Sequence, residues 1–555
     1  MDCIVKLFAL LLLPGWIAAC QTPDAIYVNG HVLTVDARFT TAEAFAVRGT
    51  QFTAVGGNTA IRKLAGPSTR VIDLKGRTVI PGFEDSHLHS VGGGPGVDLS
   101  AARALSDVFR AIQTRVAATP RGEIIVSNSD WHEAQLKEQR LPLRRDLDTV
   151  SPDNPVVLVR GGHEYILNSA ALAHWNITKA TKSPDGGQIS RYTDGEPNGE
   201  LIDRARTLIS LPVVRQTAEQ QIEFWAAQYH KMNQAGLTSV RHPGISLAQY
   251  EMLKEMKKRG LLTVRVSALL SAPPDATAAS VRSFLETSGV KPGEGDDTLR
   301  IVGMKLVVDG GFEGGWMRQP YAEPFGKDGT FRGLQLIAAD RYTAIVKELN
   351  RLGWRVGTHA VGDAAIDQVL TAYEAASAEQ SIAGKRWAIE HGFMPAEEHF
   401  ERIKSLGLTV TVQNHLYIAG PSLVNYWGPK RAAWTTPVKA YLDHGVDVAA
   451  GTDAPVVPYP PLWTLYHFVT RDTISGGILG GDQRITRAQA LRIATVGNAR
   501  LTFEEDSKGS IEAGKLADFV VLAEDLLTVP DKRIEQMKVV ITVVGGKTVF
   551  SEATR

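Results

Sequence analysis

Across the middle of the chain one pattern recurs: a short apolar run closed by a turn or polar residue, then a longer amphipathic stretch. The runs include "TVIPG", "NPVVLVRG", "GLTSVRH", "LLTVRVSAL", "LRIVGMKLVVDG", "WRVGTHAVG", "RWAIEHG", "LTVTVQN" and "VDVAAGTD". Between them lie "TAEQQIEFWAAQYHKMNQAG", "AADRYTAIVKELNRLG" and "PAEEHFERIKSLG", with apolar residues at helical spacing. Strands alternating with helices over several hundred residues predict parallel βα units, an α/β class and a (β/α)8 barrel.

The ends read differently. "AIYVNGHVLTV", "AEAFAVRGTQFTAVG" and "STRVIDLKGRTVIPG" are short strands separated by turn signals, and "GSIEAGKLADFVVLAED" and "VVITVVGGKTVFS" return to that style. At 555 residues the chain is too long for one simple core. The expected layout is a composite β domain from residues 20–80 and 505–555, and a barrel over 81–504. Residues of about 101–217 are too many for a barrel loop and are expected to form an inserted, substrate-facing subdomain.

Lysine plus arginine and aspartate plus glutamate both number 60, so no basic excess is available to meet nucleic-acid phosphates. The two cysteines, Cys3 and Cys20, both lie at the N-terminus, so a disulfide framework or thiolate metal site in the body is excluded. The opening "MDCIVKLFALLLLPGWIAAC" has one cation, Lys6, an apolar stretch too short to span a bilayer comfortably, then small residues. It reads as a signal peptide over 1–19. "IAAC" resembles a bacterial lipobox, which makes Cys20 the lipidated first residue of the mature chain. A plain signal peptide is the simpler alternative. Gln21 after Cys20 implies, by lipoprotein sorting rules, anchoring to the outer membrane and facing the periplasm.

The chemistry begins at "PGFEDSHLHS". His87 and His89 are two apart after an apolar run, and in an extended strand i and i+2 share a face. Other runs also end on metal-competent residues: Lys305 and Asp309 in "GMKLVVDGG", His359 in "VGTHAVGD", His391 in "AIEHG", Asp453 in "VAAGTDAPV". Any one of these histidines alone reads as an ordinary loop residue. Together they converge, because parallel barrel strands all finish on one face. Imidazole and carboxylate donors suit a divalent metal, zinc first among the candidates, at about one or two ions per chain. A bound metal lowers the pKa of water from ~15.7 to about 7, and Asp453 then serves as ligand and general base. Asp85, beside the pair, reads as a group that orients one imidazole.

Lys305 lies in an apolar strand, where a buried ammonium is costly. An ion pair with Asp309 or Glu313 relieves that cost. So does reaction with CO2 to a carbamate, an anionic oxygen ligand able to bridge two metals.

These residues resemble the amidohydrolase superfamily, specifically the family 3 branch that contains the N-substituted formamide deformylases. "VIPGFEDSHLHS" is similar to the family's PGF-x-D-x-H-x-H pattern. "RGGHEYILNSAAL", "GGQI" with "GEPNGELID", "THAVGDAAID", "IEHG", "GTDAPV" and "GSIEAGKLADFVVL" follow in the family's order, from about residue 25 to 550. The resemblance implies a distorted TIM barrel with a metal centre and a small β-sandwich from both termini. It implies His87, His89 and Asp453 on one metal, His359 and His391 on a second, and carboxylated Lys305 as the bridge. It also implies that His163 and Asp309 face the substrate, that a small-molecule amide or formamide is hydrolysed at its C–N bond, and that a homodimer is compatible with the fold. "SVRHPG" stands where relatives carry an H-D-x-G stretch, and "DGGFEGGWM" departs from a small-polar run, which leaves the substrate open. Two rivals are a lipid-anchored solute-binding protein and an inactive amidohydrolase-like barrel; neither needs intact ligands at strand ends.

Trp131, Tyr165, Trp316 and Trp434 read as packing residues, with an apolar substrate wall the alternative for each and Trp316 the one assigned to substrate binding. Arg160, Arg241 and Arg318 could hold a substrate carboxylate, and pairing with acids at the surface is the simpler expectation. "GWMRQPYAEPFG" reads as a connection or a lid.

Overall fold

Eight parallel strands run in sequence order around one sheet. They are β1 (Phe83–Asp85), β2 (Leu237–Ile245), β3 (Arg265–Ser271), β4 (Leu299–Val307), β5 (Val356–Ala360), β6 (Ala388–His391), β7 (Thr409–Gln413) and β8 (Asp447–Gly451). The arrangement comes from a computed structural model that describes residues 22–213, 216–273, 275–323, 325–326 and 329–552. Cys20 and the expected signal peptide lie outside the described residues.

The sheet closes into a distorted barrel at the β1–β8 seam by individual contacts. The Ser86 N–H donates to the Ala450 carbonyl at 3.0 Å, and the Asn498 amide donates to the carbonyls of Glu84 and Ala450 at 2.9 Å each. Gly451 is required there, since a Cβ on it would lie 2.6 Å from Asp85 Oδ1. Helices cover the outside. One of them, Ala218–Gln234, starts with Thr217 and Gln220 bonding each other's backbone N–H at 3.2 and 2.9 Å, a reciprocal cap present in "TAEQQIEF".

Two apolar runs belong elsewhere than the barrel. "TVIPG" forms Thr78–Pro81 in a six-stranded sheet, where it pairs antiparallel with Phe519–Leu522 from the C-terminal segment. A four-stranded sheet of N-terminal strands packs on it through Tyr27, Phe45, Phe52 and Phe519, whose neighbouring rings lie 4.8–5.9 Å apart. The chain turns from this sheet into β1 at Gly82, where a Cβ would meet Thr238 Oγ1 at 2.1 Å. "NPVVLVRG" forms Val156–Arg160 within a separate five-stranded sheet, Ile125–Val126 through Pro197–Asp203, which has its own apolar clusters. That sheet carries Arg160 and His163 to the barrel's mouth.

Candidate metal centre

The C-terminal ends of the barrel strands surround a cleft of about 420 Å³ lined by His87, His89, Lys305, His359, His391 and Asp453, with Gly161, Gly162 and His163 from the inserted sheet. His87 and His89 follow β1, Lys305 is in β4, His359 is the last residue but one of β5, His391 ends β6, and Asp453 lies two residues past β8. Asp453 Oδ1 is 3.4 Å from His87 Nε2 and 3.2 Å from His89 Nε2. One donor atom from each of the three falls within 4.8 Å of the others, and the two separations from Asp453 are close to the roughly 3.3–3.6 Å between ligands of a tetrahedral ion with bonds of about 2.0–2.2 Å.

Backbone geometry supports the convergence. His391 and Asp453 have φ of 75° and 61°, left-handed values that cost of order 1–3 kcal/mol for non-glycine residues. The Asp453 N–H donates to the His87 carbonyl at 2.6 Å, which locks the post-β8 turn onto the H-x-H segment.

Each inner imidazole is aimed by a second group. His87 Nδ1 donates to Glu390 Oε2 at 2.8 Å, leaving Nε2 toward the cleft. Glu390 is buried and accepts from Arg241 at 2.7 and 3.1 Å and from the Thr411 hydroxyl at 2.8 Å. Gly357 makes room for that pair, since a Cβ there would lie 2.3 Å from Glu390 Oε1. His391 Nδ1 donates to Gln413 Oε1 at 2.9 Å. His359 Nε2 meets the Gly310 carbonyl at 3.1 Å.

Electrostatics favour ligands over cations. Burial, aided by the Lys305 charge, pushes His87 down to about 3, and burial with neighbouring imidazoles holds His359 and His391 well below the usual histidine value. These rings are neutral and keep a lone pair. Burial works against ionisation of Asp453, yet His87 and its other imidazole neighbours outweigh it and hold the carboxyl well below its usual range. Burial lowers Lys305 to about 8. On the rim, burial opposes protonation of His163, but Asp203, 2.6 Å from its Nδ1, raises it on balance.

Behind the metal ligands a narrow chamber of about 30 Å³ continues inward between Trp131, Phe312 and Phe393, and Arg160, Glu313, His132 and His415 line it. His415 Nε2 is 3.0 Å from Asp453 Oδ2.

Several sequence expectations change. Asp85 touches no imidazole; its carboxylate accepts from the His87 and Thr452 N–H groups and the Thr452 hydroxyl, clamping the barrel seam. Asp309 is fully buried and does not line the cleft; it accepts from the N–H groups of Trp316, Val361 and Gly362, and its Oδ1 lies 3.7 Å from His359 Nε2. Trp316 contributes that N–H, and its indole lines neither space. Lys305 pairs with neither Asp309 nor Glu313; its Nζ lies 3.4 Å from His87 Nε2. Arg241 and Arg160 are buried ion-pair partners rather than surface ones, while Arg318 bridges Asp367 and Glu398 near the surface. In "GWMRQPYAEPFG", Tyr321 is buried and its hydroxyl donates to the carbonyls of Phe312 and Gly315, so this part is packed down. Glu390, Gln413 and His415 were missed. A glutamate inside the apolar run "AIEHG" carried the same warning as Lys305, and His415 follows its strand by two residues.

The amidohydrolase family model matches residues 70–550. The N-substituted formamide deformylase of Arthrobacter pascens is 30% identical over 95% of this chain and 98% of its own length. Among solved structures, an uncharacterized metal-dependent hydrolase from Pyrococcus furiosus aligns with a TM-score of 0.64 and 25% identity over 91% of this chain and 100% of that one. Another from Pyrococcus horikoshii OT3 aligns with a TM-score of 0.68 and 24% identity over 92% and 99%. The chain therefore belongs to the amidohydrolase family and is a metal-dependent hydrolase acting on carbon–nitrogen bonds.

Proposed function

We propose that the protein hydrolyses small N-substituted amides, formamides first, with zinc held by His87, His89 and Asp453. The observation that carries this reading is the placement of Asp453, whose Oδ1 faces both imidazoles of the H-x-H pair while the group lines an open cleft. The 30% identical formamide deformylase supports the substrate class. A divalent ion there would act as a Lewis acid and lower the pKa of water to about 7.

The chain's own groups do the rest. Glu390 and Arg241 fix the His87 ring, and the backbone bond to His87 fixes Asp453. Asp453 takes a proton from the attacking water and returns it to the leaving nitrogen, so amide and water become carboxylic acid and amine. His163, backed by Asp203, donates a hydrogen bond to the substrate from the rim. Lys305, beside His87, supplies a bridging oxygen if CO2 carboxylates it. Cys20 as a lipid anchor at the outer membrane, and a homodimer, belong to the same proposal.

The test is a panel of N-substituted formamides, N-acyl amino acids and cyclic imides assayed with wild type and Asp453→Asn. Formamide hydrolysis that falls by about 10²–10⁴-fold in the variant is expected. No turnover of any panel member, or an unaffected variant, overturns the reading.

A further inference from the structure

We propose that the chamber behind the metal ligands is a specificity subsite for a small, neutral, N–H-bearing head on the substrate, with Glu313 and His132 selecting it. The head is a carboxamide or urea-type group on the nitrogen substituent, and a carboxylate in its place is rejected. The proposal rests on the formamide-hydrolase reading above and names its substrate more closely.

The chamber adjoins the reaction site. His163, His359, His391 and Asp453 line both it and the open cleft, so a group bound there lies next to the scissile bond. A formamide carries only hydrogen on its carbonyl carbon, so the group that reaches the chamber is on the nitrogen. A space of about 30 Å³ holds roughly two waters, which fits a head of two or three heavy atoms. Trp131, Phe312 and Phe393 give it flat apolar walls, and the two phenylalanine rings stack 5.6 Å apart.

The polar atoms set the chemistry. Glu313 Oε1, His132 Nε2 and His415 Nδ1 are buried without a partner among the described residues, and all three residues line the chamber. Leaving such atoms unanswered is costly, and a bound group removes that cost. Glu313 Oε2 accepts from Arg160 at 3.1 Å, which leaves Oε1 as a free acceptor. His132 Nδ1 accepts the Ala134 N–H at 3.1 Å, and burial lowers the ring to about 3 and keeps it neutral. Its proton is therefore on Nε2, a donor. His415 gives its Nε2–H to Asp453 at 3.0 Å, so Nδ1 of the neutral ring is an acceptor. Two acceptors and one donor match the two N–H bonds and the carbonyl of a –CONH2 group. A carboxylate brings no donor and meets a carboxylate and a lone pair. Arg160 does not offset that, since it already faces Glu133, Glu164 and Glu313. The rival arrangement is an ordered water that answers the same three atoms and stays when substrate binds.

Three formamides of similar shape separate the two. N-formylglycinamide, N-isobutylformamide and N-formylglycine end in –CONH2, –CH(CH3)2 and –COO−, and water converts each to formate and its amine. kcat/KM is measured for all three with wild type and Glu313→Gln. Wild type is expected to favour the glycinamide over the isobutyl compound by about 10²-fold or more, with N-formylglycine slowest. In Glu313→Gln the preference for N-formylglycinamide over N-formylglycine should fall by about tenfold or more. A ratio taken within one protein does not depend on how much of it is folded, and the wild-type order stands without the variant. An isobutyl compound hydrolysed as well as the glycinamide is the ordered water's result and overturns the proposal. So does N-formylglycine hydrolysed as well as the glycinamide, or an unchanged ratio in the variant. If other amides are hydrolysed and none of these three is, the chamber assignment fails alone. If no amide or imide is hydrolysed, the hydrolase reading fails and the proposal with it.

Discussion

Arg241 and Arg160 are both buried beside the metal centre, yet one faces a single carboxylate and the other three. Arg241 makes two bonds to Glu390 and one to the Ser86 carbonyl, and Glu390 is completed by His87 and Thr411. Arg160 bonds Glu133 at 2.9 and 3.1 Å and Glu313 at 3.1 Å. Glu164 Oε2 is 3.2 Å from Arg160 Nε but out of line for a hydrogen bond, and both Glu164 oxygens lack a partner. Burial raises Glu164 well above its ordinary value, whereas Arg160 overcomes burial and holds Glu133 well below it. A fully answered pair inside the barrel fixes a metal ligand's direction. An under-neutralised cluster, shared between the inserted subdomain and the loop after β4, leaves Glu313 Oε1 over for the chamber.

That difference sets the sizes of several effects. Arg241→Met strands Glu390 as a buried charge and is expected to cost about 3–5 kcal/mol of stability, read by denaturant unfolding. A loss under 1 kcal/mol (roughly a surface pair's worth) would erase the distinction between the clusters. Next, Glu390→Gln keeps the shape but removes the charge that holds His87; zinc affinity should fall by about 10–100-fold in a competition titration. Unchanged affinity would mean that His87 needs no carboxylate behind it.

Glu164→Gln sharpens the contrast through pH. Glu164's folded-state value is raised above its ordinary 4.5, so above that pH the native state retains a proton that the unfolded chain releases. Wild-type stability therefore falls as pH rises from 4.5 toward the raised value, by at most about 1.4 kcal/mol per pH unit. Glutamine has no such loss, so the variant should gain on wild type from pH 5 to pH 8 in paired thermal melts. A constant gap would place an ionised Glu164 in the native cluster. The smallest effect is Ser422→Ala, which removes one 2.6 Å bond to Glu133 and should cost about 1 kcal/mol, readable by the same melts.

Much of the frame was legible in the sequence. β2 through β8 were visible because runs such as "VDVAAG" are apolar, short and closed by turn residues. β1 was not, because "TVIPGFED" is one continuous signal that the fold divides between two sheets at Gly82. His87 and His89 were legible from their spacing, and His359, His391 and Asp453 from their positions at run ends. Arg241–Glu390 was not, because its members are 149 residues apart and a charge inside an apolar run does not name its partner. Asp309 misled for a related reason: a carboxylate at a strand end can serve backbone N–H groups as readily as a substrate.

The most direct test of the metal centre is the zinc content of wild type and His87→Ala, purified side by side without added metal. Wild type is expected to retain zinc, with His87→Ala depleted and formamide hydrolysis lost in parallel. Equal zinc and equal hydrolysis in the two proteins would contradict the assignment of the H-x-H pair and Asp453 as the metal site.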